Sequence, residues 1–174
     1  VLAESGASRV TLARELPIEA IAACAATGIE IETFVHGAIC YSYSGQCLMS
    51  SLIGRRSANR GMCAQPCRLP YELVDADGTV RDAPGRYLLS PKDMGGIAHL
   101  PALAAAGVRS LKIEGRMKAP EYVAVVTGVY RQALDRALAD PDGYAGTEAE
   151  WALLEEAFSR GFTDAYLTGT RDGS

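Results

Sequence analysis

From Thr33 to Tyr71 the chain contains no aspartate or glutamate, while Arg55, Arg56, Arg60 and Arg68 all fall within that stretch. The segment is therefore strongly basic inside a chain whose formal net charge is −4. The overall charge argues against a generic polyanion binder. The segment itself has two readings, a basic loop facing solvent or a surface that meets phosphate or another anion. Long apolar runs are missing too: none approaches the roughly 20 residues that a membrane-spanning helix requires. No basic start followed by an apolar run and a cleavage site is present, so a cytoplasmic setting is expected. Histidine is scarce, with two in the chain. Neither His36 nor His99 stands in an H-E-x-x-H pattern, and there is no G-x-S-x-G elbow.

What is there reads as an ordinary globular composition, 48% hydrophobic and 22% charged over 174 residues, enough for one domain with a core. The sequence begins at Val1 without a methionine, and is expected to be a piece of a longer protein. Part of the active site is then expected to lie elsewhere.

Periodicity predicts an α/β alternation. A short β-like run at 9–16 precedes Pro17, which suits a helix start, and a helix at 18–27 closes at Gly28. Alternating residues at 29–35 predict a second strand. Residues 36–70 form a long loop rich in Gly, Ser, Cys and Arg, of the kind that is usually functional. A hairpin is expected around Asp75-Ala-Asp-Gly78. A third core strand is expected at 87–90, a small helix at 97–106, and a fourth core strand at 108–113. Pro120 starts a long helix to about Ala139, whose Val123, Val126, Tyr130 and Leu134 give one buried face. A last helix begins at Thr147, with Glu150 completing a capping box. Trp151 in that helix is read as core.

Four core strands with outer helices are too few for a closed barrel but fit half of a (β/α)₈ barrel, a small doubly wound sheet being the alternative. The expected division is a half barrel over 1–145, including the Cys-rich loop 36–70. Residues 146–174 are then a helical linker to a missing C-terminal region.

Cys24 lies in an Ala-rich helix and reads as core. The other four cysteines, Cys40, Cys47, Cys63 and Cys67, are spaced C-x6-C-x15-C-x3-C in the loop. Disulfides are disfavoured in a reducing compartment. Four thiolates at this density suit a cation, either tetrahedral zinc or a [4Fe–4S] cluster. The spacing is wider than the short C-x2-C pairs of zinc knuckles and suits a cluster somewhat better. Gly37, Gly45 and Gly61 fit a chain wrapping closely on such a group.

Glu32-Thr-Phe-Val-His-Gly-Ala-Ile-Cys40 and Ser44-Gly-Gln-Cys47-Leu-Met-Ser50 resemble the signature of peptidase family U32, the collagenase-like proteins. Arg56-Ser-Ala-Asn-Arg60-Gly-Met-Cys63-Ala-Gln-Pro-Cys67-Arg68 continues the resemblance. Leu89-Ser-Pro-Lys-Asp93 and Ser110-Leu-Lys-Ile-Glu-Gly-Arg-Met-Lys118 extend it over nearly the whole chain. The resemblance implies a barrel protein of roughly twice this length, of which this chain is the C-terminal half. It implies a [4Fe–4S] cluster on the four cysteines and oxygen-independent hydroxylation of tRNA uridine, ribosomal cytidine or ubiquinone precursors. Prephenate is the hydroxyl source it implies for the RNA-modifying members. The version here looks closest to the tRNA type.

The candidate catalytic residues are Glu32, His36, Lys112 and Glu114, all near strand ends. Each has a structural alternative, such as fixing a loop or forming an ion pair. Arg55, Arg56, Arg60 and Arg116 are the candidates for binding RNA or another anion, with Arg60 and Arg68 alternatively facing the cluster. Lys92 and Asp93 share the ambiguity. Two other functions are kept open: a peptidase of unknown catalytic type, and a non-catalytic zinc or RNA-binding module.

Overall fold

The structure is a computed structural model that describes residues 2–170. In chain order its elements are β1 (Arg9–Thr11), α1 (Ile18–Ala25), β2 (Glu30–Ala38) and α2 (Met49–Gly54). Next come β3 (Leu73–Val74), β4 (Val80–Arg81), β5 (Asp93–Gly95), α3 (Leu100–Ala105) and β6 (Val108–Ile113). The chain ends in α4 (Pro120–Ala139), α5 (Glu148–Ala157), β7 (Phe162–Thr163) and α6 (Ala165–Thr168). Two compact units emerge: residues 1–39 with 92–174, and residues 40–91.

The first unit is built on β2. Its N-terminal half pairs in parallel with β1, Arg9 opposite Glu30 and Thr11 opposite Glu32. On the other edge β6 runs parallel to it; near the end of β2, on the edge opposite β6, β5 runs antiparallel, His36 opposite Gly95 and Ala38 opposite Asp93. β7 then adds to β5 in parallel. Ile31, Thr33 and Val35 point into the core, where Ile21, Leu100, Leu103 and Val126 are fully buried beneath the helices. This inward alternation is the period-2 pattern of a strand covered on one face.

A mixed, mostly parallel α/β sheet with helices against it is thus present, but among the described residues it does not close into a barrel. One expectation is corrected. The expected third strand at 87–90 is a turn, with Ser90 N–H donating to Tyr87 O, and the strand comes three residues later as β5. Four apolar or small residues are too short a run to distinguish strand from turn, and Pro91 has no N–H for a ladder. Within the stretch expected as a helical linker, α5 and β7 pack into the first unit. Leu154 of α5 is fully buried, and β7 joins the sheet. The capping box that starts α5 is as expected: Thr147 Oγ1 accepts from Glu150 N–H and Glu150 Oε2 accepts from Thr147 N–H.

The second unit contains more order than a loop. α2 and a single-turn 3-10 helix, Ala58–Arg60, lie between Cys47 and Cys63, a second such turn, Pro66–Arg68, contains Cys67, and the expected hairpin forms as β3 and β4. Gly78 takes φ +87° at the turn, a conformation open to glycine at little cost. Among the described residues no helix is long and apolar enough to cross a membrane.

Candidate functional site

Because Ile31, Thr33 and Val35 are turned into the core, Glu32 and Phe34 are left on the opposite face of the first unit's sheet. Parallel pairing brings side chains 21 and 78 positions away to Glu32: Thr11 Oγ1 donates to Oε1 at 2.8 Å and Ser110 Oγ to Oε2 at 2.8 Å. Lys112 Nζ donates to Oε1 at 3.0 Å. The hydroxyls of Ser110 and Thr11, then Lys112, hold the Glu32 carboxyl at about 2, far below its ordinary value. A carboxylate so stabilised is a weak base at neutral pH. Its chemistry is to orient Lys112 and fix negative charge rather than to take up a proton.

Beside it, Arg14 lies flat over the Phe34 ring, 3.8 Å from its centroid, and its Nη2 pairs with Glu114 Oε2 at 2.7 Å. Glu114 Oε1 accepts from the Arg116 backbone N–H at 2.9 Å. Three of the four catalytic candidates, Glu32, Lys112 and Glu114, therefore share one polar face. Arg14 joins them as a residue not among those candidates. The signal available in the sequence was alternation: Ser110, Lys112 and Glu114 repeat every second residue, as Glu30, Glu32 and Phe34 do.

His36 does not join them. The β2–β6 register slips between Phe34 and His36, so Val35 is an extra residue and His36 turns to the helix-packed side. A bulge re-aims the side chains that follow it. His36 is buried at 1% exposure, its Nδ1 is 3.2 Å from Tyr130 Oη, and the rings of Tyr122, Tyr130 and Phe162 surround it. Burial, and secondarily the charge of Lys118, lower its pKa from 6.5 to about 4. Gly37 at φ +98° follows, with a Cβ there falling 2.5 Å from Glu114 O, so only glycine fits between the strands.

The two depressed pKa values predict an acid-sensitive fold. Between pH 6.5 and about 4 the unfolded chain protonates His36 while the folded one does not, so stability falls as pH drops. From pH 4.5 towards 2 the same holds for Glu32. Urea midpoints measured across this range should decline in both windows. His36→Gln should flatten the upper window and Glu32→Gln the lower; unchanged slopes would count against these environments.

All four loop cysteines lie in the second unit, half-buried and unbridged. Burial pushes the Cys67 thiol up, Arg68 draws it down, and Cys40, Cys63 and Cys47 push it up again, so the four sulfurs are within electrostatic reach. Among the described residues no three His, Cys, Asp or Glu side chains form a group that could hold a metal ion as they stand. The donor chemistry nonetheless suits a soft metal centre. Gln65, at φ +56°, turns its backbone N–H onto Cys63 Sγ at 3.3 Å. The loop from Cys63 to Cys67 is tied down from outside: buried Ser50 Oγ accepts from Ala64 N–H at 3.0 Å, and Tyr71 Oη donates to Pro66 O at 3.0 Å. Arg68 Nη1 donates to Ser90 Oγ at 2.7 Å and to Pro91 O at 2.6 Å, which gives the Leu-Ser-Pro motif its place in this unit.

Arg55, Arg56 and Arg60 are exposed on the same unit, Arg55 at the left-handed end of α2 and Arg56 Nε donating to Met62 O at 3.1 Å. Exposed Tyr41, Tyr43, Leu48, Leu52 and Ile53 belong to it as well. Asp93 is elsewhere: in the first unit, 2% exposed, it accepts from Arg160 Nη2 at 2.5 Å and from Arg160 N–H at 3.2 Å.

The first unit is thus a mixed, mostly parallel α/β sheet with a polar face, and the second carries four thiols and exposed arginines. The sequence profile of peptidase family U32 matches residues 1–174, and the chain belongs to that family. It is 41% identical over 176 residues to tRNA hydroxylation protein P1 of Bacillus subtilis, covering 96% of this chain and 41% of that protein. It is 45% identical over 179 residues to a 23S rRNA 5-hydroxycytidine synthase of Escherichia coli, covering 99% of this chain and 27% of that one. A collagenase of Porphyromonas gingivalis is 39% identical over 180 residues, 94% of this chain and 43% of the relative. The chain thus spans less than half the length of these relatives. No solved structure matches it.

Proposed function

We propose that the chain is the cysteine-bearing part of an iron–sulfur enzyme that hydroxylates RNA, with a tRNA uridine as its target. The observation that carries this reading is that Cys40, Cys47, Cys63 and Cys67 all lie unbridged in one unit, within the acid-free, arginine-bearing stretch 33–71. Relatives named as tRNA and rRNA modification proteins support the RNA class.

Cys40, Cys47, Cys63 and Cys67 would hold a [4Fe–4S] cluster, which supplies one-electron chemistry when bound. The C-x6-C-x15-C-x3-C spacing, wider than the short C-x2-C pairs of zinc knuckles, favours a cluster over zinc in this reading. The Gln65 N–H on Cys63 Sγ and the Arg68 charge offset negative charge on the thiolates. Arg55, Arg56 and Arg60 grip the RNA backbone. Prephenate is the hydroxyl source in this reading, and the Arg116 guanidinium offers a carboxylate a two-pronged donor. The polar face of Glu32, Lys112, Arg14 and Glu114 is read as the lumen side of a barrel that the rest of a longer, cytoplasmic protein completes.

The collagenase name of one relative keeps a peptidase in view. The hydrogen-bond partners of the two imidazoles are Tyr130 and Asp164, not a serine or cysteine nucleophile.

Deleting the gene should remove 5-hydroxyuridine-derived nucleosides from tRNA digests, and unchanged nucleosides would end the reading. Replacing Arg55, Arg56 and Arg60 together by alanine should weaken tRNA binding uniformly across sequences. It should also lower the salt slope by about 2–3, close to one unit per lost phosphate contact. Titrations at several salt concentrations check this, and an unaltered slope would move the RNA surface elsewhere.

A further inference from the structure

Tyr130 reads in the sequence as one of several apolar residues on the buried face of α4. Its hydroxyl has a more specific setting. Tyr130 Oη lies 2.9 Å from Val35 O and 3.2 Å from His36 Nδ1. A phenol has one proton to give, and a carbonyl oxygen can only accept. Tyr130 O–H must therefore donate to Val35 O, which leaves its lone pairs to accept from His36 Nδ1–H. The opposite tautomer would set the bare Nδ1 in competition with Val35 O for one proton. It would also bury an N–H at Nε2, which has no hydrogen-bond partner among the described residues. Orphaned buried N–H groups are rarer than under-used acceptors.

We propose that Tyr130 is the positioning residue that holds His36 as its Nδ1–H tautomer, so that Nε2 is presented as a proton acceptor beside the C-terminal end of β2. The group this acceptor takes is a small hydroxyl donor, water or the hydroxyl of a bound molecule. The Val35 bulge supplies the geometry, since it both turns His36 inward and aims Val35 O at the phenol. Burial keeps Tyr130 a protonated phenol and His36 neutral near pH 7. The charged and titratable groups around the imidazole are Lys118, Tyr122 and Tyr130 at or on α4, with Asp93 on β5 and Arg160 before β7, paired with each other. The proposal rests on the first unit alone and stands or falls separately from the cluster.

The chain has two histidines, so ¹⁵N labelling of histidine and a long-range ¹H–¹⁵N correlation at pH 7 give two ring patterns, assigned with His99→Gln. The expected pattern for His36 is a protonated Nδ1 and a bare Nε2, with a slowly exchanging Tyr130 hydroxyl proton close to the Nδ1 proton. Tyr130→Phe keeps the ring but removes the acceptor, and should shift His36 towards the Nε2–H tautomer. An Nε2–H pattern in the unmodified protein, or an unchanged Nδ1–H pattern in Tyr130→Phe, would overturn the proposal. Should the variant fail to fold, the proximity of the hydroxyl and Nδ1 protons in the unmodified protein decides the role of Tyr130, and its absence refutes it.

Discussion

On the proposed iron–sulfur reading, serine in place of Cys67 is expected to strip the full-length protein of iron and sulfide and to abolish RNA hydroxylation. Cys67 is the thiol whose pKa the other three push up, and it lies in a segment fixed at Ala64, Pro66 and Arg68. Loss of an outer partner to a metal ligand commonly costs 10–100-fold in affinity or activity, and loss of a ligand should cost at least roughly that. Cys24→Ser is the control. Cys24 sits against the core of the first unit, away in sequence from the quartet, so its replacement should leave the metal content unaltered. Iron and sulfide assays on anaerobically purified variants, with nucleoside analysis of tRNA from complemented cells, test both. Full iron and full activity in Cys67→Ser would remove Cys67 from the ligand set.

Alanine in place of Asp93 should give the largest loss of stability. The carboxylate is almost fully buried and holds both the guanidinium and the backbone N–H of Arg160. Removing one partner of a buried pair leaves an uncompensated charge and costs about 3–5 kcal/mol. That is a large share of the roughly 5–15 kcal/mol that holds a domain folded. Ala38 and Asp93 are paired in register where the chain leaves the first unit and returns to it. Denaturant unfolding of Asp93→Ala should show the lowered midpoint, and Asp93→Asn, which keeps hydrogen-bonding atoms, a smaller shift. An unfolding free energy within about 0.5 kcal/mol of the unmodified protein, the range of ordinary surface substitutions, would contradict the buried-pair account.

The elements read most directly from sequence were those governed by local rules. The capping box at Thr147, the Asp75–Gly78 turn and the long α4 follow from spacing within a few residues. β5 was misplaced because Tyr87-Leu-Leu-Ser90 carries the apolar look of a strand and Asp93-Met-Gly95 does not. Asp93 is tolerated in a buried strand by Arg160, 67 residues away, and no local pattern reports that pairing.

The site divides in the same way. The cysteine quartet and the arginines were legible because they crowd one stretch of sequence. Glu32, Lys112, Glu114 and Arg14 were legible as polar residues near strand ends, but the partners Thr11 and Ser110 became visible only through strand pairing. His36 was grouped with Glu32 by simple alternation. One extra residue in β2 breaks that alternation and gives the imidazole to Tyr130 instead.

The measurement that bears most directly on the central claim is metal analysis of protein purified without air. The account predicts about four iron and four acid-labile sulfide per chain. It also predicts a brown protein whose spectrum bleaches on reduction. Colourless protein holding one zinc per chain and no sulfide would contradict it, and would leave the four thiolates as a staple for the unit that carries them.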